Sequence, residues 1–132
     1  MSSAASAIRQ RVSDDEERLA RDVLGQVAGK WALCVLDLLA RTGSPVRFTR
    51  VLDGVEGITQ KVLTTTLRHL ERDGFVSRCV YPQVPPRVEY TLTALGQDLH
   101  DRLDPLARWA RTQTGAFAAA RGRFEGRASE AV

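Results

Sequence analysis

The stretch "FVSRCVYPQVPPRVEYTLT", Phe75 to Thr93, constrains the fold more than any other part of the chain. Val76, Arg78 and Val80 alternate in one β-prone run, and Val88, Tyr90 and Leu92 alternate in a second. Pro82, Pro85 and Pro86 fall between the two. Proline has no backbone N–H to give to a ladder, so these residues belong in the loop of a two-stranded hairpin.

Almost everything else reads as helix. Met1 to Ala7 is small and polar, and Met1 to Ser13 reads as a frayed arm. Asp14, Asp15, Glu16 and Glu17 then open a helix at the end where the helix dipole favours acids. Leu19, Val23 and Val27 give it one apolar stripe. Gly29 ends or bends it. "KWALCVLDLLA", Lys30 to Ala40, is apolar nearly all round and reads as the central buried helix. "RTGSP" at Arg41 to Pro45 is a turn. Phe48, Val51, Leu52 and Val55 then give a short amphipathic helix, which Glu56-Gly57 ends.

The helix before the hairpin carries the functional signal. Thr59 is its N-cap candidate, because a hydroxyl can accept a bond from a free backbone N–H of the first turn. At about 100° per residue, Leu63, Leu67 and Leu70 share an arc of roughly 60°. Gln60, Lys61, Thr64, Thr65 and Arg68 occupy a separate arc of roughly 140°. Asp73-Gly74 ends this helix, with Gly74 as the left-handed residue. After the hairpin, Thr93 caps a long helix striped by Leu95, Leu99, Leu103, Leu106 and Trp109, which Pro105 should kink or restart. From Gly115 onward the chain reads as a loose tail. The organisation is therefore a flexible arm over 1–13, a single domain over 14–114 and a flexible tail over 115–132. The fold class is mainly α with a small two-stranded β wing: a winged helix-turn-helix whose long terminal helices form a dimer interface.

The polar face of Gln60, Lys61, Thr64, Thr65 and Arg68, with Thr59 at its start as a further DNA-binding candidate, suits the DNA major groove. Gln pairs with adenine, Arg with guanine, Lys with guanine or phosphate, and the threonine methyl meets the thymine methyl. The bland alternative is a solvated face. Threonine serves that badly, being a stiff, weak helix former. Arg78 and Arg87 flank the proline loop and suit phosphate or minor-groove contact, with pairing of Arg87 to Glu89 as the alternative. Arg47 and Arg50 are weaker candidates for the DNA backbone. A net charge of +3 and a sequence pI near 9.3 are compatible with nucleic acid without requiring it.

Composition narrows the remaining classes. Hydrophobic residues at 43% and charged residues at 27% fit a folded soluble protein. No apolar run approaches the roughly 20 residues of a membrane span, and the N-terminus lacks the apolar core of a secretory signal. No membrane partner is expected, and the default compartment is the cytoplasm. Two cysteines, Cys34 and Cys79, are too few for a disulfide framework and lack metal-ligand spacing. No phosphate loop, nucleophile–base pair or ligand cluster points to an enzyme, a cofactor or a metal.

"GKW" (Gly29 to Trp31), "RF" (Arg47-Phe48), "GITQKVLTTTLRHLERDG" (Gly57 to Gly74) and "VYPQVPPRVEYTLTALG" (Val80 to Gly96) resemble the HxlR-type family of bacterial transcription regulators. The resemblance covers about Leu19 to Trp109. It implies a homodimer whose terminal helices pair, with one recognition helix per subunit in a major groove of double-stranded DNA. Leu19, Val23 and Val27 would then meet Leu99, Leu103, Leu106 and Trp109 at the dimer interface. Many members carry a Cys-Pro pair near the start of the first helix, and in several that thiol senses oxidants. Arg18-Leu19 stands there in this chain.

Three alternatives stay open at this level. The fold could be a protein-interaction module without DNA binding, although such a module would tend to place aromatics or leucines on the helix face that carries Gln60 and Arg68. It could be a thiol-based redox regulator using Cys79 on the first wing strand, beside Arg78. A small-molecule effector could also modulate DNA affinity, though no residue identifies it. Cys34, inside an apolar stretch, reads as a buried small hydrophobe.

Overall fold

The computed structural model describes residues 2–43 and 45–130. The elements run α1 (Ser2–Val27), α2 (Lys30–Thr42), β1 (Val46–Arg47), α3 (Phe48–Gly54), α4 (Gln60–Arg72), β2 (Val76–Tyr81), β3 (Arg87–Leu92), α5 (Ala94–Thr112) and α6 (Thr114–Glu130). The chain divides between Gln97 and Asp98 into two compact units, where the sequence suggested one domain over 14–114.

The first unit is the winged helix. Its core gathers Val35, Leu36 and Leu39 of α2, Val51 of α3, Leu63, Leu67 and Leu70 of α4, and Val46, Val76 and Tyr90 of the sheet. The leucines of α4 recur at helical spacing and all turn inward, as a 3.6-residue period demands. α1 and α2 meet at 78° across the Ala28-Gly29 break, and Gly29 is the N-cap of α2. Among the described residues, no single helix is long and apolar enough to cross a membrane.

The end of α4 is set by backbone chemistry. Gly74 has φ +85°. Its N–H donates to the Glu71 carbonyl at 3.1 Å, and the Phe75 N–H donates to the Leu70 carbonyl at 2.9 Å. This paired closure satisfies carbonyls that the helix would otherwise leave free. The chain then passes directly into the wing. At the far end of the wing, the Thr93 hydroxyl donates to the Gly74 carbonyl at 2.6 Å and accepts from the Gly96 N–H at 3.0 Å. One side chain thus caps α5 and ties it to the end of α4.

The wing has the expected hairpin, with Pro82, Pro85 and Pro86 in its loop. It also has a third strand. The sheet order is β1-β3-β2, all antiparallel, with Val46 opposite Tyr90 and Arg47 opposite Glu89. Two residues are too few to show a period of two, which is why Val46-Arg47 falls in no element read from the sequence. The Tyr90 and Phe48 rings lie 6.5 Å apart and join the sheet to α3. Burial pushes the Tyr90 phenol above its ordinary range.

Several other elements differ from the sequence expectation. α1 starts at Ser2, so most of the segment read as an arm is helical. The segment read as a tail forms most of α6. α2 is not buried all round: Ala32, Val35, Leu36 and Leu39 are buried, whereas Cys34 is exposed. At 100° per residue, position 34 shares a face with Lys30 and Arg41, both exposed.

The second unit holds the rest of α5 and α6. Pro105 lies within α5, which runs through it as one helix. Arg108 pairs with Asp104 one turn earlier, and this hydrogen bond holds the Asp104 carboxyl below its ordinary range. The Trp109 and Phe117 rings meet edge to face at 6.0 Å across the short break between the helices.

Candidate nucleic-acid interface

The outward face of α4 is built by the same period that buries its leucines. Gln60, Lys61, Thr64, Thr65 and Arg68 are all exposed, on the side away from Leu63, Leu67 and Leu70. Thr59 is extended at φ −87°, ψ 159°, and its hydroxyl accepts the Val62 N–H at 3.1 Å, as an N-cap does. That bond fixes where the helix starts and hence the phase of its outer face. The hydroxyl of Thr59 is therefore a structural group.

The threonine hydroxyls within α4 are also engaged. Thr64 donates to the Gln60 carbonyl at 2.8 Å, Thr65 to the Lys61 carbonyl at 3.1 Å, and Thr66 to the Val62 carbonyl at 2.8 Å. Each reaches back four residues along the helix. This is the back-bonding to the preceding turn that a mid-helix threonine makes possible.

The arginines and lysine of α3, α4 and the sheet fall into two groups. Arg72 is paired with Asp73, Arg78 with Glu71 at 3.3 Å, and Arg87 with Glu89 at 3.3 Å. Arg47, Arg50, Lys61 and Arg68 are exposed and make no ion pair among the described residues. The unpaired cations thus lie on β1, α3 and α4, and the paired ones on the wing and at the end of α4. Arg78 carries a structural role that sequence reading missed, since Glu71 lies seven residues away in the chain and joins it only through the turn at Gly74. Arg87 takes the pairing named as its alternative. Its guanidinium also lies over the Tyr81 ring, 4.0 Å from the centroid. Arg47 and Arg87 both line a groove of about 350 Å³ between the start of α3 and the wing loop, floored by Phe48, Pro85 and Pro86.

Cys79 sits exposed on β2, opposite Glu89 in the ladder. The neighbouring Cys79 thiol is the main cause pushing the Tyr81 phenol up. Arg18, at the position where the family resemblance places a sensing thiol, is a surface residue paired with Asp15 at 2.7 Å.

The residues named for a dimer interface separate as well. Leu19 is 63% exposed, Leu106 59% and Trp109 54%. Val23, Leu99 and Leu103 are half-buried. Val27 is 2% exposed and belongs to the core of its own subunit, because it is the last turn of α1 and packs where the chain bends into α2. Leu24, not named from the sequence, is 60% exposed.

Comparison with known proteins agrees with this geometry. The profile of the HxlR-like helix-turn-helix family matches residues 26–117. An uncharacterised HTH-type transcriptional regulator of Methanothermobacter thermautotrophicus is 41% identical over 101 residues, covering 76% of this chain and 76% of that protein. The redox regulator HypR in its reduced form is similar in structure, with a TM-score of 0.66 and 33% identity, covering 76% of this chain and 97% of that one. The reduced form of the transcriptional regulator YodB from B. subtilis superposes with a TM-score of 0.58 and 29% identity, covering 68% of this chain and 86% of that one. With the family profile spanning α2, α3, α4, the wing and α5, this chain belongs to the HxlR-like helix-turn-helix family of transcriptional regulators.

Proposed function

We propose that this regulator is a homodimer that binds an inverted-repeat operator in the cytoplasm, with α4 of each subunit reading bases in a major groove. The observation that carries the reading is the outer face of α4. It holds a polar, exposed set with two unpaired cations, Lys61 and Arg68, on a helix fixed at one end by Thr59 and at the other by Gly74. Gln60 and Arg68 supply bidentate base contacts, while Lys61 contacts guanine or phosphate. Arg47 and Arg50 contact phosphates beside the groove. Arg78 and Arg87 act from the wing as oriented charges, each shared with a carboxylate. The exposed apolar residues of α1 and α5 pair the subunits, which turns two recognition helices into one symmetric reader.

The cleft of about 130 Å³ lined by Trp31, Thr66 and His69 lies against α4, and a small effector bound there would bear directly on the reading helix. The test of base reading is affinity on operator variants. Gln60→Ala and Arg68→Ala should each relax preference at particular base pairs, at a cost of about 1–3 kcal/mol for each bidentate pairing removed. A uniform loss on every sequence would assign these residues to the DNA backbone.

A further inference from the structure

We propose that Thr64 and Thr65 recognise the C5-methyl group of thymine and donate no hydrogen bond to any base, an inference that rests on α4 being the base-reading helix. A threonine hydroxyl owns one hydrogen. In Thr64 that hydrogen is given to the Gln60 carbonyl at 2.8 Å, and in Thr65 to the Lys61 carbonyl at 3.1 Å. Neither hydroxyl is left to donate to the major-groove acceptors, which are guanine N7 and O6, adenine N7 and thymine O4. The oxygen branch of each Cβ is drawn onto the helix backbone. The other branch is the methyl, and both residues are exposed on the polar face.

The neighbours fit this division of labour. Gln60 and Arg68 hold the bidentate donors of the face, and Lys61 holds a point charge. Two rigid methyl groups between them add apolar contact, and only the A·T pair offers a matching methyl in the major groove. The stiffness that makes threonine a weak helix former serves this purpose, since it fixes the methyl without further cost on binding.

The experiment uses the full chain and the site it selects from genomic fragments. Thymines in that site are replaced one at a time by deoxyuridine, which removes only the methyl. Affinities are then measured for wild type, for Thr64→Val/Thr65→Val, and for Thr64→Ser/Thr65→Ser, with circular dichroism melts confirming that each is folded. We expect deoxyuridine to cost the wild type about fourfold per contacted methyl. The valine double variant, which keeps methyls and loses hydroxyls, should bind within about twofold to threefold of wild type. The serine double variant, which keeps hydroxyls and loses methyls, should lose roughly fifteenfold and become indifferent to deoxyuridine. Tight binding by the serine variant, or a valine loss as large as the serine loss, would overturn the proposal. So would a wild type that selects a sequence yet ignores deoxyuridine, which leaves α4 reading intact. A wild type that selects no sequence overturns both.

Discussion

Arg87 lies with its guanidinium carbon 4.0 Å from the centroid of the Tyr81 ring, and the two residues are cross-strand partners at the last rung of the wing. Its Nε is also 3.3 Å from a Glu89 oxygen. The side chain is held on two sides before any DNA arrives, whereas Arg47 and Arg50 are exposed and unpaired. Arg50→Ala should therefore reduce the salt slope of DNA binding by about 0.9 for each phosphate that Arg50 neutralises. Arg87→Ala should reduce it by clearly less. Affinities measured across a salt series check this, and equal slopes for the two variants would put the wing tip directly on phosphate.

Gly96 packs where no side chain fits. A Cβ at this position would overlap the Phe75 carbonyl oxygen and lie 2.7 Å from Leu92 Cδ1. Alanine is the better helix former by about 1 kcal/mol. The clash is with backbone, which cannot rotate away, so Gly96→Ala should still destabilise the fold by about 1–3 kcal/mol. Urea unfolding at one pH measures the difference.

The apolar residues left outside the core predict assembly. Leu19, Leu24, Leu106 and Trp109 are all more than half exposed. A dimer is expected in light scattering at micromolar concentration. Leu19→Glu/Leu24→Glu should raise its dissociation constant at least tenfold, about 1.4 kcal/mol, because a buried carboxylate loses its water. An unchanged dimer would move the interface off α1.

Thiol oxidation should not be the primary switch, although similar proteins include redox regulators. Arg18 stands where the resemblance places the sensing cysteine, and Cys79 lies opposite Glu89 in the ladder. Operator binding should hold within about twofold, about 0.4 kcal/mol, after diamide treatment. Reversible loss that disappears in Cys79→Ser would make Cys79 the switch. Loss that disappears in Cys34→Ser would assign it to α2, where the thiol is also exposed.

Much of this fold can be read from the chain because its signals are local. The Leu63, Leu67 and Leu70 spacing, the Thr59 cap, the Gly74 stop and the proline loop each act within a few residues, and each stands where the sequence put it. What escaped depends on distant partners. β1 exists because Val46 finds Tyr90, and Arg78 is engaged because the turn at Gly74 brings Glu71 alongside. Val27 has the same spacing as Leu19 and Val23, but a bend of 78° after it turns it into the core. Cys34 shows the converse: an apolar neighbourhood in sequence does not bury a residue whose helical phase points outward.

The claim that α4 reads DNA is tested most directly by selecting genomic fragments with the purified protein and footprinting the enriched site. The account predicts an inverted repeat whose half-sites are separated by about 34 Å or a multiple of it, protected by wild type and protected more weakly by Arg68→Ala, by about 1–3 kcal/mol for each bidentate pairing lost. Failure to enrich any sequence, or a single asymmetric half-site that Gln60→Ala and Arg68→Ala protect as well as wild type does, would contradict it.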